Sequence, residues 1–316
     1  MSALFNIVNP WLFDADSDDL IALRDHLLWL QSELFNEYEP NRYEAFDDRL
    51  VEWLNNIDST EDQKTLFRLL RHLFFIGKQQ FDSLCRAAFG GQATRWVIDH
   101  AKIDIQAPNL SSLVNQAMYR TWFCPITDSM RINSFLKLNQ LSGHDNRPDW
   151  RSLSLFGDPL AIRSYLINQK IERLVLLEDF VGTGNQMAKA VHWAATCLPN
   201  TPILVLPLVC CPEGLNTGKA LASDCPNVTF SPALILHGEL FLGATPQANE
   251  PNIFPKVREL ISRLGTRMGI WAQHPYGYEA TGALVALYSN CPDNTLPIIH
   301  HHGPQWSPLF SRIRRS

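Results

Sequence analysis

The sequence lacks the features that mark membrane, secreted and disulfide-rich proteins. No apolar run in its 316 residues approaches the roughly 18–20 residues that span a bilayer. The opening stretch "MSALFNIVNPWLF" has no basic region before its short apolar part, so we expect no signal peptide. The 7 cysteines form no Cys-x-x-Cys pair, which argues against a structural zinc site or a disulfide framework. We therefore predict a cytoplasmic protein with reduced thiols and no membrane association.

A large charge of one sign is also absent from the chain as a whole, but not from its parts. The net charge is −5, and charged residues make up 19% of the chain. Residues 1–107 hold 10 Lys+Arg against 18 Asp+Glu, a net of −8, and the remainder holds 17 against 14, a net of +3. The acidic part is unsuited to nonspecific binding of nucleic acid, whereas the later part can tolerate phosphates.

The hydrophobic pattern changes near Pro108. Before it, apolar residues recur at helical spacing, and Ser59 with Asp62 resembles a capping box. After it, short apolar runs such as "TWFCPI", "RLVLLE" and "PILVLPLVC" alternate with stretches of helical period. This alternation predicts βαβ units and a mostly parallel sheet. We predict an α/β fold, with a helical cap or interaction domain at residues 1–107 and an α/β domain at residues 108–316.

One segment, "LVLLEDFVGTGNQM" at residues 174–187, combines two acids with a glycine-rich turn. Glu178 and Asp179 follow an apolar strand, at the end where parallel sheets build their sites. Glycines let a backbone approach a phosphate, and the N–H groups that begin a helix bind it. A P-loop needs a lysine that this turn lacks, and Met187 stands where a dinucleotide motif has its third glycine. A phosphorylated ribose, with hydroxyls for the acids and a phosphate for the turn, suits both halves.

The segment resembles the phosphoribosyl-pyrophosphate-binding motif of the type I phosphoribosyltransferases. The resemblance implies that Glu178 and Asp179 are the catalytic residues and contact the ribose hydroxyls. It also implies magnesium, bound together with phosphoribosyl pyrophosphate or a nucleotide. The residues implied to wrap the 5′-phosphate are Gly182, Thr183, Gly184, Asn185 and Gln186. Two positions depart from the family. Gly182 stands where the family usually has a hydroxyl or small residue, and Gln186 stands where the family usually has Thr or Ser.

A wider resemblance covers most of the chain. The helical front, "LFGDPLAIRSYL" and "GYEATGALVALYSNCPDNTLPIIHHHGPQWSPLFSR" are similar to the phosphoribosyltransferase-like proteins of bacterial conflict systems, including effectors of the retron-associated type. This resemblance implies antiviral defence by a toxic activity that a partner complex keeps silent. The implied partners are a reverse transcriptase with its RNA-linked DNA and a winged-helix protein.

Three further groups are candidates for the same site. In "CPITDSMRINSF", Thr127, Asp128 and Ser129 lie between a strand and a helix start, as a pyrophosphate loop would, although a plain helix cap is the alternative. The second group is Arg147 and Arg151, in a segment that fits either a mobile lid or an exposed loop. The third group is Asn290, Asn294 and Thr295, which either line a pocket or form a turn. We assign no metal-ligating side chains.

Two classes of function remain open from the sequence. The first is an enzyme that transfers a phosphoribosyl group or cleaves the N-glycosidic bond of a nucleotide. The second is a module that has lost catalysis, binds a nucleotide and supports assembly of a retron-like complex. The departure at Gln186 favours the second class.

Overall fold

The computed structural model describes residues 7–13, 17–141, 158–264 and 274–313. The chain divides into two compact units, one made of residues 1–80 and 237–316 and the other of residues 81–236. The elements confirm the predicted fold class, because the front of the chain is helical and the strand pairs are parallel. The functional boundary at residue 107 stays a prediction.

Helices predominate in the first part of the chain, and helices and strands alternate in the later part. The helices are α1 Asp18–Glu33, α2 Phe46–Leu54, α3 Thr60–Leu69, α4 Lys78–Ala87, α5 Thr94–His100, α6 Leu110–Tyr119, α7 Ile132–Leu138, α8 Pro159–Asn168, α9 Asn185–Cys197, α10 Pro212–Asp224, α11 Phe254–Leu264 and α12 Pro297–His300. The strands are β1 Phe74–Ile76, β2 Thr121–Pro125, β3 Arg173–Val181, β4 Ile203–Cys210, β5 Val228–Phe230, β6 Leu234–Ile235 and β7 Val285–Leu287. A π-helical segment, Ala88–Ala93, joins α4 to α5.

The first helices form for the reasons that the sequence suggests. The first turn of α1 carries Asp18 and Asp19, where the helix dipole favours negative charge, and Leu20, Leu23 and Leu27 are buried. Ser59 caps α3 and accepts a hydrogen bond from the main-chain N–H of Asp62 at 3.4 Å. This contact confirms the cap expected from the spacing of these two residues.

The first unit contains a small sheet of its own. Strand β7 pairs in parallel with β1, with Phe74 opposite Val285. The strand expected from "GALVALYS" therefore exists, but it pairs with β1, in a different sheet from the strands of the second unit. Trp53 is completely buried in this unit and donates its indole N–H to the Ile298 carbonyl at 2.6 Å.

The second unit is built on a five-stranded parallel sheet in the order β2-β3-β4-β5, with β6 also paired to β4. Strands β3 and β4 are buried almost along their whole length, as their continuous Leu and Val runs predict for the centre of a parallel sheet. Strand β5 pairs with the start of β4 and β6 with its end. Pro207 lies between these two pairings and has no N–H for a ladder hydrogen bond.

Among residues 7–13, 17–141, 158–264 and 274–313, no helix is both long and apolar enough to cross a bilayer.

Candidate functional site

The carboxyl ends of β2 and β3 bring the predicted acids and the predicted loop together. Pro125 pairs with Leu177, and the Ile126 N–H donates to the Leu177 carbonyl at 2.8 Å. The loop that leaves β2 therefore runs beside the last part of β3. Glu178 and Asp179 lie there, with only 5% and 6% of their surface exposed.

Hydroxyl and amide groups of this loop surround the two acids. The Thr127 N–H donates to Glu178 Oε2 at 2.9 Å, and the Thr127 hydroxyl donates to Glu178 Oε1. The Ser129 hydroxyl lies 3.0 Å from Glu178 Oε1 and 2.7 Å from Asp179 Oδ1, which also accepts the Phe180 N–H at 2.8 Å. Two residues of the expected pyrophosphate loop, Thr127 and Ser129, thus contact the acid pair directly.

The hydrogen-bond count around Glu178 indicates that it carries a proton. Each hydroxyl of Thr127 and Ser129 has one proton, yet they make three contacts with the carboxyl oxygens and a fourth, of 2.7 Å, with each other. Burial, and then the charge of Asp179, raise the pKa of Glu178 to about 8. A proton on Glu178 at neutral pH supplies a third donor for these four contacts.

This raised pKa predicts how stability depends on pH. The folded protein holds a proton on Glu178 that the unfolded chain releases above its usual pKa of 4.5, so this contribution to stability is complete below pH 4.5 and lost as pH rises through about 8. In urea unfolding, Glu178→Gln is expected to flatten the decline in unfolding free energy between these two values. A matched change at the exposed Glu259, Glu259→Gln, should leave the decline in place. An unchanged slope in Glu178→Gln would contradict the proton assignment.

Helix α10 packs against the turn after β3 and supports it. Gly184 has a φ of +88°, a conformation that glycine adopts easily and other residues do not. The Thr217 hydroxyl donates to the Thr183 carbonyl at 2.8 Å, and a Cβ added at Gly184 would lie 2.9 Å from the Thr217 side chain. A Cβ added at Gly214 would lie 2.6 Å from the Gly182 carbonyl oxygen.

Gly214 and Thr217 are site-supporting residues that the sequence-based reasoning missed. The available signal was the spacing of Gly214, Thr217 and Gly218 in "GLNTGK". Small residues three and four apart share one face of a helix, and such a face lets another backbone approach closely. The spacing predicts the close approach but not the segment that makes it.

The start of α9 can bind an anion. Its N-cap, Gly184, has no side chain with which to cap the helix, and its first turn contains no acid. Asn185 and Gln186 are exposed there, while Gly182 and Gly184 are buried and Thr183 is half-buried. The positive end of the helix dipole therefore faces an accessible surface within a few residues of the acid pair.

The remaining predicted residues have different surroundings. Asp128 is exposed in the loop after β2, and Arg147 and Arg151 lie outside the described residues. In the other unit, Asn290 and Thr295 donate to main-chain carbonyls at 3.0 and 2.6 Å, and Asn294 donates to the Thr281 hydroxyl at 2.9 Å. These bonds join the three residues to other segments of the same unit, and a role for them in a substrate pocket stays a prediction.

The oxygen donors at the acid pair are compatible with magnesium. Within the described ranges, no group of three or more His, Cys, Asp and Glu side chains is arranged to hold a metal ion. Magnesium often binds through one or two carboxylates together with phosphates of the ligand, so a dedicated protein cage is not required. Asp179 would hold it here, together with Glu178 once that carboxyl group has lost its proton.

Comparison with known proteins identifies a family. A scan against protein families matches residues 50–312 to the PRTase-CE family. The matched range includes the acid pair, the loop after β2 and the turn after β3. Searches of curated proteins and of solved structures return no match. The chain belongs to the PRTase-CE family and is a phosphoribosyltransferase-like protein.

Proposed function

We propose that the protein binds the phosphorylated ribose of phosphoribosyl pyrophosphate or of a nucleotide at the carboxyl end of β3. Glu178 and Asp179 accept hydrogen bonds from the two ribose hydroxyls. The turn of residues 182–186 takes the 5′-phosphate on its main-chain N–H groups. The observation that carries this proposal is that the acid pair already binds two hydroxyls whose oxygens are 2.7 Å apart. The vicinal hydroxyls of a ribose have a similar separation.

A ribose can take the place of the hydroxyls of Thr127 and Ser129. The exchange replaces two hydroxyl donors with two others, so the carboxyl groups keep their bonds to hydroxyl groups, which are costly to lose in a buried site. Only the bond from the Thr127 N–H to Glu178 is lost. The loop of residues 127–129 moves off the acids in this step. It is then positioned beside the anomeric carbon, where a pyrophosphate leaving group lies, as a pyrophosphate loop would be.

The proposed chemistry is displacement at the anomeric carbon. In the transfer reaction, the bond from this carbon to the pyrophosphate oxygen breaks and a bond to an acceptor nitrogen forms. In nucleotide cleavage, the bond to the base nitrogen breaks and a bond to a water oxygen forms. Both transition states place positive charge on the sugar, and the charged carboxylate of Asp179 stabilises it electrostatically, so no side-chain nucleophile is needed. Magnesium, when bound, neutralises pyrophosphate charge.

The biological role that we propose is that of an anti-phage effector. Its toxic activity at this site is held inactive by a partner complex, comprising a reverse transcriptase with RNA-linked DNA and a winged-helix protein. The support is the similarity of the helical front and the C-terminal segments to proteins of bacterial conflict systems. Depletion of a nucleotide or of phosphoribosyl pyrophosphate would account for toxicity.

The alternative is a nucleotide-binding module without catalysis. Two observations favour it. Gln186 replaces the hydroxyl residue usual in the phosphate-binding turn, and the acid pair is hydrogen-bonded to the chain's own loop. In this case the displacement of the loop by the ribose would communicate to the partner complex that a ligand is bound, and the protein would catalyse no reaction.

Labelled phosphoribosyl pyrophosphate and nucleotides, incubated with the purified protein and magnesium, distinguish the two functions. Product formation that is lost in Asp179→Asn supports the enzyme. Tight binding without product supports the module, and no binding of any phosphorylated ribose overturns both.

The effector role is tested in cells that lack the neighbouring genes. Expression of the protein is expected to slow growth, and the double variant Glu178→Gln/Asp179→Asn is expected to relieve the effect. A double variant that is made in equal amount and remains equally toxic would contradict an activity at this site.

A further inference from the structure

The first unit contains a basic groove, whereas the acid pair belongs to the second unit. Its volume is about 780 Å³, within the range of about 300–1,000 Å³ common for small-molecule sites. Its lining comes from the start of α1, from α3 and the turn after it, and from the segment that leads into α11. We call it the α3/α11 groove.

The α3/α11 groove is lined by cationic side chains, although the first part of the chain is acidic as a whole. Residues 1–107 have a net charge of −8, yet Lys64, Arg68 and Arg71 of this acidic stretch line one cavity together with Lys256. The two acids that also line it, Asp19 and Glu61, accept hydrogen bonds from two of these cations. The groove thus carries two more positive side chains than negative ones.

The two acids are paired with cations within the groove. Asp19 accepts from Arg68 through two hydrogen bonds of 2.7 and 3.0 Å, and this bonding lowers the pKa of its carboxyl group. Lys64 donates to Glu61 at 2.7 Å. Asp19 therefore remains charged at neutral pH; its carboxylate is hydrogen-bonded to Arg68, and the charge of Arg71 lowers its pKa further.

Arg71 and Lys256 donate to no carboxylate in the described residues. Arg71 is exposed and donates only to the main-chain oxygen of Asp19, at 3.4 Å, and Lys256 is exposed in the first turn of α11. In the part of the chain that the structure describes, neither forms an ion pair. The first turn of α11 contains no acid, so the positive end of its dipole adds to the two charges.

Ion pairs outside the cavity hold its walls in place. Arg263 of α11 donates to both carboxylate oxygens of Asp62 on α3, at 2.8 and 2.7 Å. Arg258 of α11 pairs with Glu250 and donates to the Gly243 carbonyl at 2.8 Å, which anchors the segment that leads into the groove. Because these walls are tied together, a ligand would meet a largely preformed site, and less of the binding free energy would be lost to ordering.

We propose that the α3/α11 groove binds a small anion that carries two or more phosphates, with Arg71 and Lys256 as its cationic contacts. Arginine matches phosphate oxygens with its planar fork, and lysine supplies a point charge. A polyphosphate neutralises both side chains at once, whereas a single carboxylate would leave one of them unneutralised. This site is independent of the ribose site proposed above and involves neither Glu178 nor Asp179.

Inorganic pyrophosphate and tripolyphosphate, titrated calorimetrically in the absence of magnesium, test the proposal on the full chain. The variant Arg71→Gln/Lys256→Gln is expected to bind both about tenfold or more weakly, because two charge-assisted contacts are lost. Binding to the unaltered protein should weaken as salt rises, since exposed charges are screened over about 8 Å at physiological ionic strength. Both changed residues are exposed, and circular dichroism verifies that the variant is folded.

Two control variants make the outcome specific. Arg95→Gln/Lys219→Gln removes the same charge from exposed positions of the other unit and should bind pyrophosphate as the unaltered protein does. Asp179→Asn should also leave this binding unchanged, even if it abolishes binding of phosphoribosyl pyrophosphate. Equal losses in the two double variants would overturn the proposed site. The proposal would also be overturned if neither pyrophosphate nor tripolyphosphate bound, or if Arg71 and Lys256 bound single-stranded oligonucleotides but not these anions.

Discussion

Asp179→Asn is expected to weaken the binding of phosphoribosyl pyrophosphate with magnesium by about a hundredfold or more. The change removes the charge that accepts a ribose hydroxyl, and hydrogen bonds to a charged group contribute about 1.5–3 kcal/mol each. It also removes a carboxylate that can hold magnesium. The fold should tolerate the change, because an amide oxygen can still accept from Ser129 and from the Phe180 N–H. Isothermal titration calorimetry measures the loss directly.

The matched control for this variant is Asp224→Asn, which removes the same charge from an exposed position at the end of α10. Its affinity should equal that of the unaltered protein. If Asp179→Asn bound the ligand as tightly as Asp224→Asn does, the acid pair would not be the ribose site. A loss of the same size in both variants would indicate a general effect of charge.

Gly214→Ala is expected to destabilise the protein by about 1–3 kcal/mol, the usual cost of inserting a methyl group into a packed site. The added Cβ would lie 2.6 Å from both the Gly182 carbonyl oxygen and a methyl group of Val181. Either α10 or the turn after β3 must then shift. Because the turn forms the proposed phosphate site, affinity for phosphoribosyl pyrophosphate should fall as well. Urea unfolding and calorimetry measure the two effects.

Gly91→Ala is the control, because a Cβ added at Gly91 meets nothing within 4 Å. Replacing a helical glycine by alanine at an open position is expected to be neutral or to stabilise by up to about 1 kcal/mol. The two variants should therefore change stability in opposite directions or differ clearly in size. Equal stabilities would show that α10 does not support the turn.

The local parts of the site could be predicted from the sequence. A buried strand, two acids at its end, a glycine turn and a helix start are consecutive in the chain, and each has its own signature in residues 174–187. The same holds for α1 and for the cap at Ser59, because helical spacing and capping involve residues only a few positions apart.

The parts that depend on pairing could not be predicted. The hydroxyl contacts of Thr127 and Ser129 with the acids require a particular register of β2 against β3, and no local pattern specifies that register. The partner of β7 is β1, more than 200 residues earlier. The support of the turn by Gly214 likewise depends on where α10 packs. These features come from contacts between segments that are distant in the sequence.

A crystal structure of the protein with ribose 5-phosphate tests the proposed site most directly. We expect the two ribose hydroxyls to donate to Glu178 and Asp179, the phosphate to lie on the N–H groups of residues 183–186, and the side chains of Thr127 and Ser129 to have left the acids. A sugar phosphate bound elsewhere, while Thr127 and Ser129 still contact Glu178 and Asp179, would contradict the proposal.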